Sequence, residues 1–268
     1  LYNLDSIPRH TLQKHIKKGS EKLKRQETKP YKVVWLSGGV SSFIAGYIIK
    51  DSVDEWIYID IADQHPDTLR FIKDCEKILN RKVTILRSTE YNSVEDVCRD
   101  RKFINSPSGA VCTGMLKKKV RKIWENQHLE YDLTYVWGFD CTEEKRAYNL
   151  CINFPEFNHE FPLIKQNLTK DDAHAISAKL GLKRPIMYDL GYTNNNCIGC
   201  VKGGMWYWNK IRVDFPEIFK NRAKLERDLN HSIIKGVYLD ELDENAGRKQ
   251  KEVMEECSIM CELTYNNL

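Results

Sequence analysis

The segment Ser37-Gly38-Gly39-Val40-Ser41-Ser42 has the residue types and the setting to hold a phosphate. It follows a β-branched apolar run, Lys32-Val33-Val34-Trp35-Leu36, and precedes Phe43, Ile44, Tyr47 and Ile48 at helical spacing. In a strand, glycine turn and helix, the glycines let a ligand reach the backbone. The first N–H groups of the helix and its dipole then favour an anion. Ser37, Ser41 and Ser42 add hydroxyl donors. A tight turn with serine caps is the structural alternative. The position directly after the first buried strand of an α/β pattern favours phosphate. The loop lacks the Lys of a Walker A motif and is not G-x-G-x-x-G, which argues against kinase-like and dinucleotide sites.

The cysteines form the second group. Cys197-x₂-Cys200 has metal-knuckle spacing, and Cys257-x₃-Cys261 is a second close pair. Together the four could make one tetrahedral thiolate site for zinc or an iron–sulfur cluster. The alternative is that they are small core residues. The chain has nine cysteines, an odd and scattered set, which makes a poor disulfide framework. Cys112 precedes a helical stretch, where a thiol is easily ionised and reactive. Trp206, Tyr207 and Trp208 are expected to pack a small unit around the metal.

These residues need a scaffold, and the sequence supplies an alternating one. Strands are expected at Lys32–Leu36, Glu55–Asp60, Lys82–Leu86 and Leu133–Trp137, with helices between them. Pro66 is expected at the first position of one helix, and another spans about 113–127 with a mostly solvated lysine-rich face. Such alternation implies a mostly parallel sheet flanked by helices. Thr169-Lys170-Asp171-Asp172 reads as a capped helix start, with Gly181 just past its end. Three parts follow: a basic leader helix at 1–30, a nucleotide-binding domain at 31–165, and a helical, cysteine-containing, metal-binding extension at 166–268. A net charge of +4 fits an anionic substrate but is too small to argue for nucleic acid alone. There is neither a membrane-length apolar run nor a signal peptide, so a cytoplasmic location is the expectation.

Several segments in order resemble one family. Ser37 to Ser42 resembles the SGGxDS loop of PP-loop ATP pyrophosphatases and of the phosphoadenosine phosphosulfate (PAPS) reductase family. Ile59 to Thr68 resembles its second-strand motif, and Cys112-Thr113-Gly114-Met115-Leu116-Lys117 its CT-x-x-LK segment. Gly138 to Arg146 resembles its G-x-R-x-x-E-S-x-x-R segment, and Phe161-Pro162-Leu163 its "PL" turn. Ser41 stands where many relatives have Asp, and Phe139 where the reductases commonly have Arg.

The resemblance implies a PP-loop, Rossmann-like fold that binds ATP or PAPS through Ser37, Gly38, Gly39, Val40, Ser41, Ser42, Asp60, His65 and Gly138. It implies catalytic roles for Lys117, Arg146 and Asp63, with Mg²⁺ as a further cofactor. Two reactions share that scaffold: adenylation of an acceptor with loss of pyrophosphate, and thiolate attack on PAPS with loss of sulfite. Some members hold a [4Fe–4S] cluster through a Cys pair at the Cys112 position and a later Cys-x-x-Cys, so Cys112 is a candidate ligand. Glu255-Glu256-Cys257-Ser258-Ile259 faintly resembles the reductases' catalytic motif, but the Cys261 partner favours a ligand role for Cys257. A nucleic acid to be thiolated or a sulfur-donor protein is a possible partner. A non-catalytic nucleotide- or nucleic-acid-binding module is the rival reading, with the basic leader, Lys117 to Lys122 and the aromatic run Trp206-Tyr207-Trp208 as its face.

Overall fold

A computed structural model describes residues 28–106 and 109–248. The expected leader helix and the Cys257/Cys261 pair lie outside the described residues. A five-stranded parallel sheet organises the chain. Its strands are β1 (Lys29–Leu36), β2 (Glu55–Ile59), β3 (Thr84–Leu86), β6 (Tyr131–Val136) and β7 (Asn158–Glu160). Their order is β3-β2-β1-β6-β7. A short hairpin, β4 (Asn105–Ser106) with β5 (Gly109–Ala110), lies apart from the sheet.

Strand pleating sorts the apolar residues onto two faces. Val34, Leu36, Trp56 and Tyr58 pack with Phe43 and Ile44 of α1 (Val40–Ile48) and Phe71 and Ile72 of α2 (Asp67–Leu79). Val33, Ile57, Leu133 and Tyr135 face the other way. They meet Trp124 of α4 (Lys119–Asn126) and Leu150 of α5 (Glu144–Asn153). Helices therefore cover both faces, and the chain changes face where the strand order reverses, between β1 and β6. Pro66 caps α2 instead of opening it, and the helix starts at Asp67.

A third core lies beyond the sheet. Val94, Val97 and Cys98 of α3 (Val94–Arg101) and Ile104 and Ala110 of the hairpin region join Tyr207, Trp208, Ile211 and Leu225 there. These last residues come from α9 (Met205–Asp214) and α10 (Pro216–Leu229). Between them in sequence lie α6 (Pro162–Lys165), α7 (Lys170–Lys179) and α8 (Ile186–Asp189). The α7 helix has the expected Thr169/Asp172 capping box, and Gly181 follows it at φ +69. Yet Ala173, Leu182 and Tyr188 pack into the α1/α2 core and not with the C-terminal helices. A division of the chain at residue 166 therefore does not coincide with a division of its cores.

The lysine-rich helix also departs from expectation. It opens at Val111–Thr113, widens into a π-turn at Gly114–Lys118 and continues as α4. Arg121 was expected on a solvated face but is 4% exposed, 3.2 Å from Glu125. At i, i+3 and i+4, Arg121, Trp124 and Glu125 share the face that meets Tyr135, whose hydroxyl donates to Glu125.

β7 brings a half-buried histidine to the sheet edge. Trp137 Nε1 donates to His159 Nδ1 at 3.0 Å, which puts the ring proton on Nε2, 2.9 Å from the Phe154 carbonyl. Desolvation holds the His159 pKa below its ordinary value of 6.5. The neutral ring is thus favoured in the fold, and the unfolded chain takes up the proton first. Stability should be level above pH 6.5 and fall as pH drops through the folded pKa. Urea unfolding at pH 7.5, 6.5 and 5.5 should show this slope, and it should shrink in His159→Gln.

Candidate functional site

The candidate site lies at the carboxyl ends of β1 and β6, the switch point where α/β folds open a crevice. The glycine loop leaves β1 there. Gly38 adopts φ +84, a conformation that favours glycine. Gly39 caps α1 from the extended region, at φ −102. Gly39 has no side chain to satisfy the helix N–H groups, and the first turn of α1 carries no acidic residue. Residues Val40 to Gly46 are all buried.

The serines partly serve the loop itself. Ser42 Oγ donates to the Gly39 carbonyl at 3.0 Å and accepts from the Ser37 amide at 3.1 Å. Ser37 Oγ accepts from the Gly39 amide at 3.2 Å. Ser41, which stands where the resembled loops have Asp, is 5% exposed.

Gly138 belongs to the same constellation by contact. A Cβ there would lie 2.6 Å from the Ser42 nitrogen and Cα and 2.9 Å from the Ser41 carbonyl carbon. The turn leaving β6 therefore rests on the backbone of the turn entering α1. The segment after it is built to stay in place: Asp140 and Glu143 form a capping box around the turn Cys141–Glu143. Arg146 follows, 7% exposed, paired with Glu143 at 2.6 Å and stacked 4.3 Å over Phe139.

The second-strand segment is placed beside the loop with its charged groups engaged. Arg87 binds Asp60 at 2.6 Å. Asp63 accepts from the Val94 amide at 2.7 Å, at the start of α3, and from the buried Arg222 of α10. His65 Nδ1 accepts from the Asp67 amide at 3.1 Å, at the start of α2. Thr68 closes this segment under the glycine turn: a Cβ on Gly38 would lie 2.7 Å from its Cγ2.

Sequence reasoning missed Asn195. It is 5% exposed, and its Nδ2 donates to the Gly38 carbonyl at 2.8 Å and to Thr68 Oγ1 at 3.0 Å. Only its nearness to Cys197 in sequence could have drawn attention to it.

The cysteine pair follows directly. Tyr207 Oη accepts from the Cys200 amide at 2.9 Å and donates to the Cys197 carbonyl at 3.2 Å. Burial pushes the Tyr207 phenol well up, which keeps that donor protonated. The aromatic run thus packs around the cysteine turn, as expected. Cys112, Lys117, Cys197 and Cys200 line one small open cavity. The structure therefore places Lys117 with the cysteines. Among the described residues, no three His, Cys, Asp or Glu side chains gather closely enough to hold a metal ion.

Fold and site define a parallel α/β protein with a glycine loop at its switch point. Among the solved structures similar to it are the following two. One is PAPS reductase from Candida auris in its phosphate complex, 14% identical, covering 72% of this chain and 96% of that one, with a TM-score of 0.46. The other is NMN synthetase from Francisella tularensis, 11% identical, covering 84% and 96%, with a TM-score of 0.38. No family model and no curated protein matches the sequence. Among the described residues, no helix is long and apolar enough to cross a membrane.

The Gly138 contact is testable without any ligand. Gly138→Ala should lower the unfolding free energy by about 1–3 kcal/mol, because backbone must move to admit the methyl group. Gly114→Ala, where an added Cβ meets nothing within 4 Å, should not destabilise. Equal urea midpoints for the two variants would count against the close approach.

Proposed function

We propose that this chain is an enzyme that binds an adenine nucleotide, ATP or PAPS, and carries out sulfur-related or nucleotidyl-transfer chemistry. The observation that carries this reading is the glycine loop at the switch point, with a buried helix start beneath it and no acidic residue in that first turn. Backbone N–H groups of Val40 to Ser42, the loop hydroxyls and Gly138 would surround the phosphates. Asp60 and His65 would flank the nucleoside side of the crevice.

Arg146 and Lys117 are the cations suited to developing negative charge, worth most where water is excluded. Arg146 is nearly buried and oriented by Glu143 and Phe139, so little reorganisation is needed there. Asp63 suits a positioning role, since its carboxylate already joins α3 to Arg222. The loop carries no carboxylate, and Asp60 is held by Arg87. This favours a nucleotide whose phosphates are met without a loop-bound Mg²⁺, as PAPS would be, over Mg²⁺·ATP.

Thiolates suit a thiophilic group, and since no three donors gather among the described residues, Cys257 and Cys261 would have to complete the set. Cys197 and Cys200, with Cys257 and Cys261 and with Cys112 on the same cavity, would hold zinc or an iron–sulfur cluster. Such a group would clip the C-terminal segment in place or, as a cluster, supply electrons. The cytoplasm is the proposed location. A thiolated nucleic acid and a sulfur-donor protein are the partners this chemistry would call for.

Calorimetric titration with ATP and PAPS, each with and without Mg²⁺, tests the reading. PAPS should bind without Mg²⁺, and a folded protein that binds neither nucleotide would refute the assignment. Gly39→Asp should abolish binding, because the new carboxylate opposes the anion, and its far-UV circular dichroism should match wild type, since φ at position 39 suits any residue. For the cysteines, anaerobic purification should yield stoichiometric zinc or iron, lost in Cys197→Ser/Cys200→Ser. A metal-free protein of unchanged activity would leave the thiols as packing.

A further inference from the structure

We propose that Asn195 is a positioning residue for the glycine loop, and that through it the Cys197–Cys200 turn sets the loop's conformation. The inference deepens the nucleotide reading and, for its effect on affinity, rests on it.

The soft degree of freedom in the loop is the Gly38–Gly39 peptide. Two glycines in succession leave its plane free to flip at small steric cost. In a trans peptide the carbonyl and the N–H point in opposite directions, so holding one fixes the other. Asn195 Nδ2 holds the Gly38 carbonyl at 2.8 Å, and the Gly39 amide is thereby turned towards Ser37 Oγ. A flipped plane would redirect the carbonyl oxygen, a poor neighbour for an anion. The same Nδ2 is braced by Thr68 Oγ1 at 3.0 Å, so the donor has one orientation. Asn195 Oδ1 is buried and has no hydrogen-bond partner among the described residues. Only the donor end of the amide is used, so the position makes a specific demand for an N–H.

Asn195 itself is held from both sides. Lys170 Nζ binds Asn194 Oδ1 at 2.6 Å, which anchors the segment to α7. The Ile198 amide donates to the Asp63 carbonyl at 2.8 Å, and Tyr207 grips the carbonyl of Cys197 and the amide of Cys200. A change in the geometry of the cysteine turn has one residue, Asn196, between it and Asn195. Packed segments hydrogen-bonded at both ends transmit strain along the short stretch between them.

The test uses the full chain and two separate readouts. The first needs no nucleotide: amide hydrogen exchange at Gly38 to Ser42. Asn195→Ala should raise exchange there at least several-fold with exchange in β1 and β6 unchanged. Unaltered loop exchange would overturn the positioning role, whether or not the protein binds nucleotide. Tyr207→Phe, which removes the hydroxyl that grips the cysteine turn, should raise exchange at the same amides, while Cys151→Ala should not. Loosening by Asn195→Ala but not by Tyr207→Phe would overturn the link to the cysteine turn.

The second readout is nucleotide affinity by calorimetry. Asn195→Ala should weaken binding about 3- to 10-fold, the effect of one lost hydrogen bond. Asn195→Asp can donate to the Gly38 carbonyl only when protonated. Its affinity relative to wild type should therefore recover as pH falls from 8 to 5.5, a profile that a space-filling role would not produce. A pH-independent ratio would overturn the donor argument. Absence of binding in wild type with the exchange result intact would refute the nucleotide reading and leave the positioning role standing.

Discussion

The site depends on the backbone of Gly138 lying against the backbone of Ser41 and Ser42. The sheet order reverses between β1 and β6, so the turns leaving these two strands emerge side by side. One turn must enter α1, and the other must cross over its start. At 2.6 Å there is no room for a methyl group between them. The same crowding explains why the first turn of α1 is built from small residues. Ser41 and Ser42 are nearly inaccessible, and a carboxylate at position 41 would be desolvated unless a cation came with it. The serine that departs from the resembled loops therefore fits its surroundings here.

Much of this was legible in the sequence because it is local. The short β-branched and apolar runs at Val33–Leu36 and Glu55–Ile59 mark the central strands, and two glycines after a buried strand mark the turn. The Thr169/Asp172 cap and Gly181 marked both ends of α7. What was not legible depends on distant partners. β7 is the polar triplet Asn158-His159-Glu160, made a strand by pairing with β6. Arg121 is buried because Glu125 and Phe154 accompany it, and nothing in a lysine-rich run announces that. Asn195 acts through the Gly38 carbonyl, 157 residues away in sequence.

The cysteines divide along the same line. Cys75 and Cys98 are fully buried core residues, and burial pushes the Cys98 thiol up to about 11, far from reactivity. Cys151 is pushed up to about 11 for the same reason. The x₂ spacing of Cys197 and Cys200 could be read directly, and Tyr207 shapes the turn that spacing implies. That Cys112 shares their cavity could not be read from its surroundings, since only the packing of α3, the π-turn and the cysteine turn brings it there. The π-turn matters here: an extra residue in one helical turn re-aims the side chains around it, and Lys117 lies within it.

Two candidate sites thus share one short connection. Asp63 offers its carbonyl to the cysteine turn and its carboxylate to α3 and α10, while Thr68, five residues on, supports the glycine turn. Asn195 completes the circuit from the other strand of the connection. Groups tied this closely cannot respond independently. A ligand on the cysteine cavity that tightens the segment Thr193 to Cys200 would favour one setting of the Gly38 carbonyl. An anion on the glycine loop that prefers that setting would favour the same ligand by the same factor, because coupling between equilibrium binding sites is reciprocal. The sign of the coupling follows from which way the Gly38–Gly39 peptide must face. Asn195 holds that carbonyl in the structure, so a ligand that fixes the segment and an anion that requires this setting would reinforce each other.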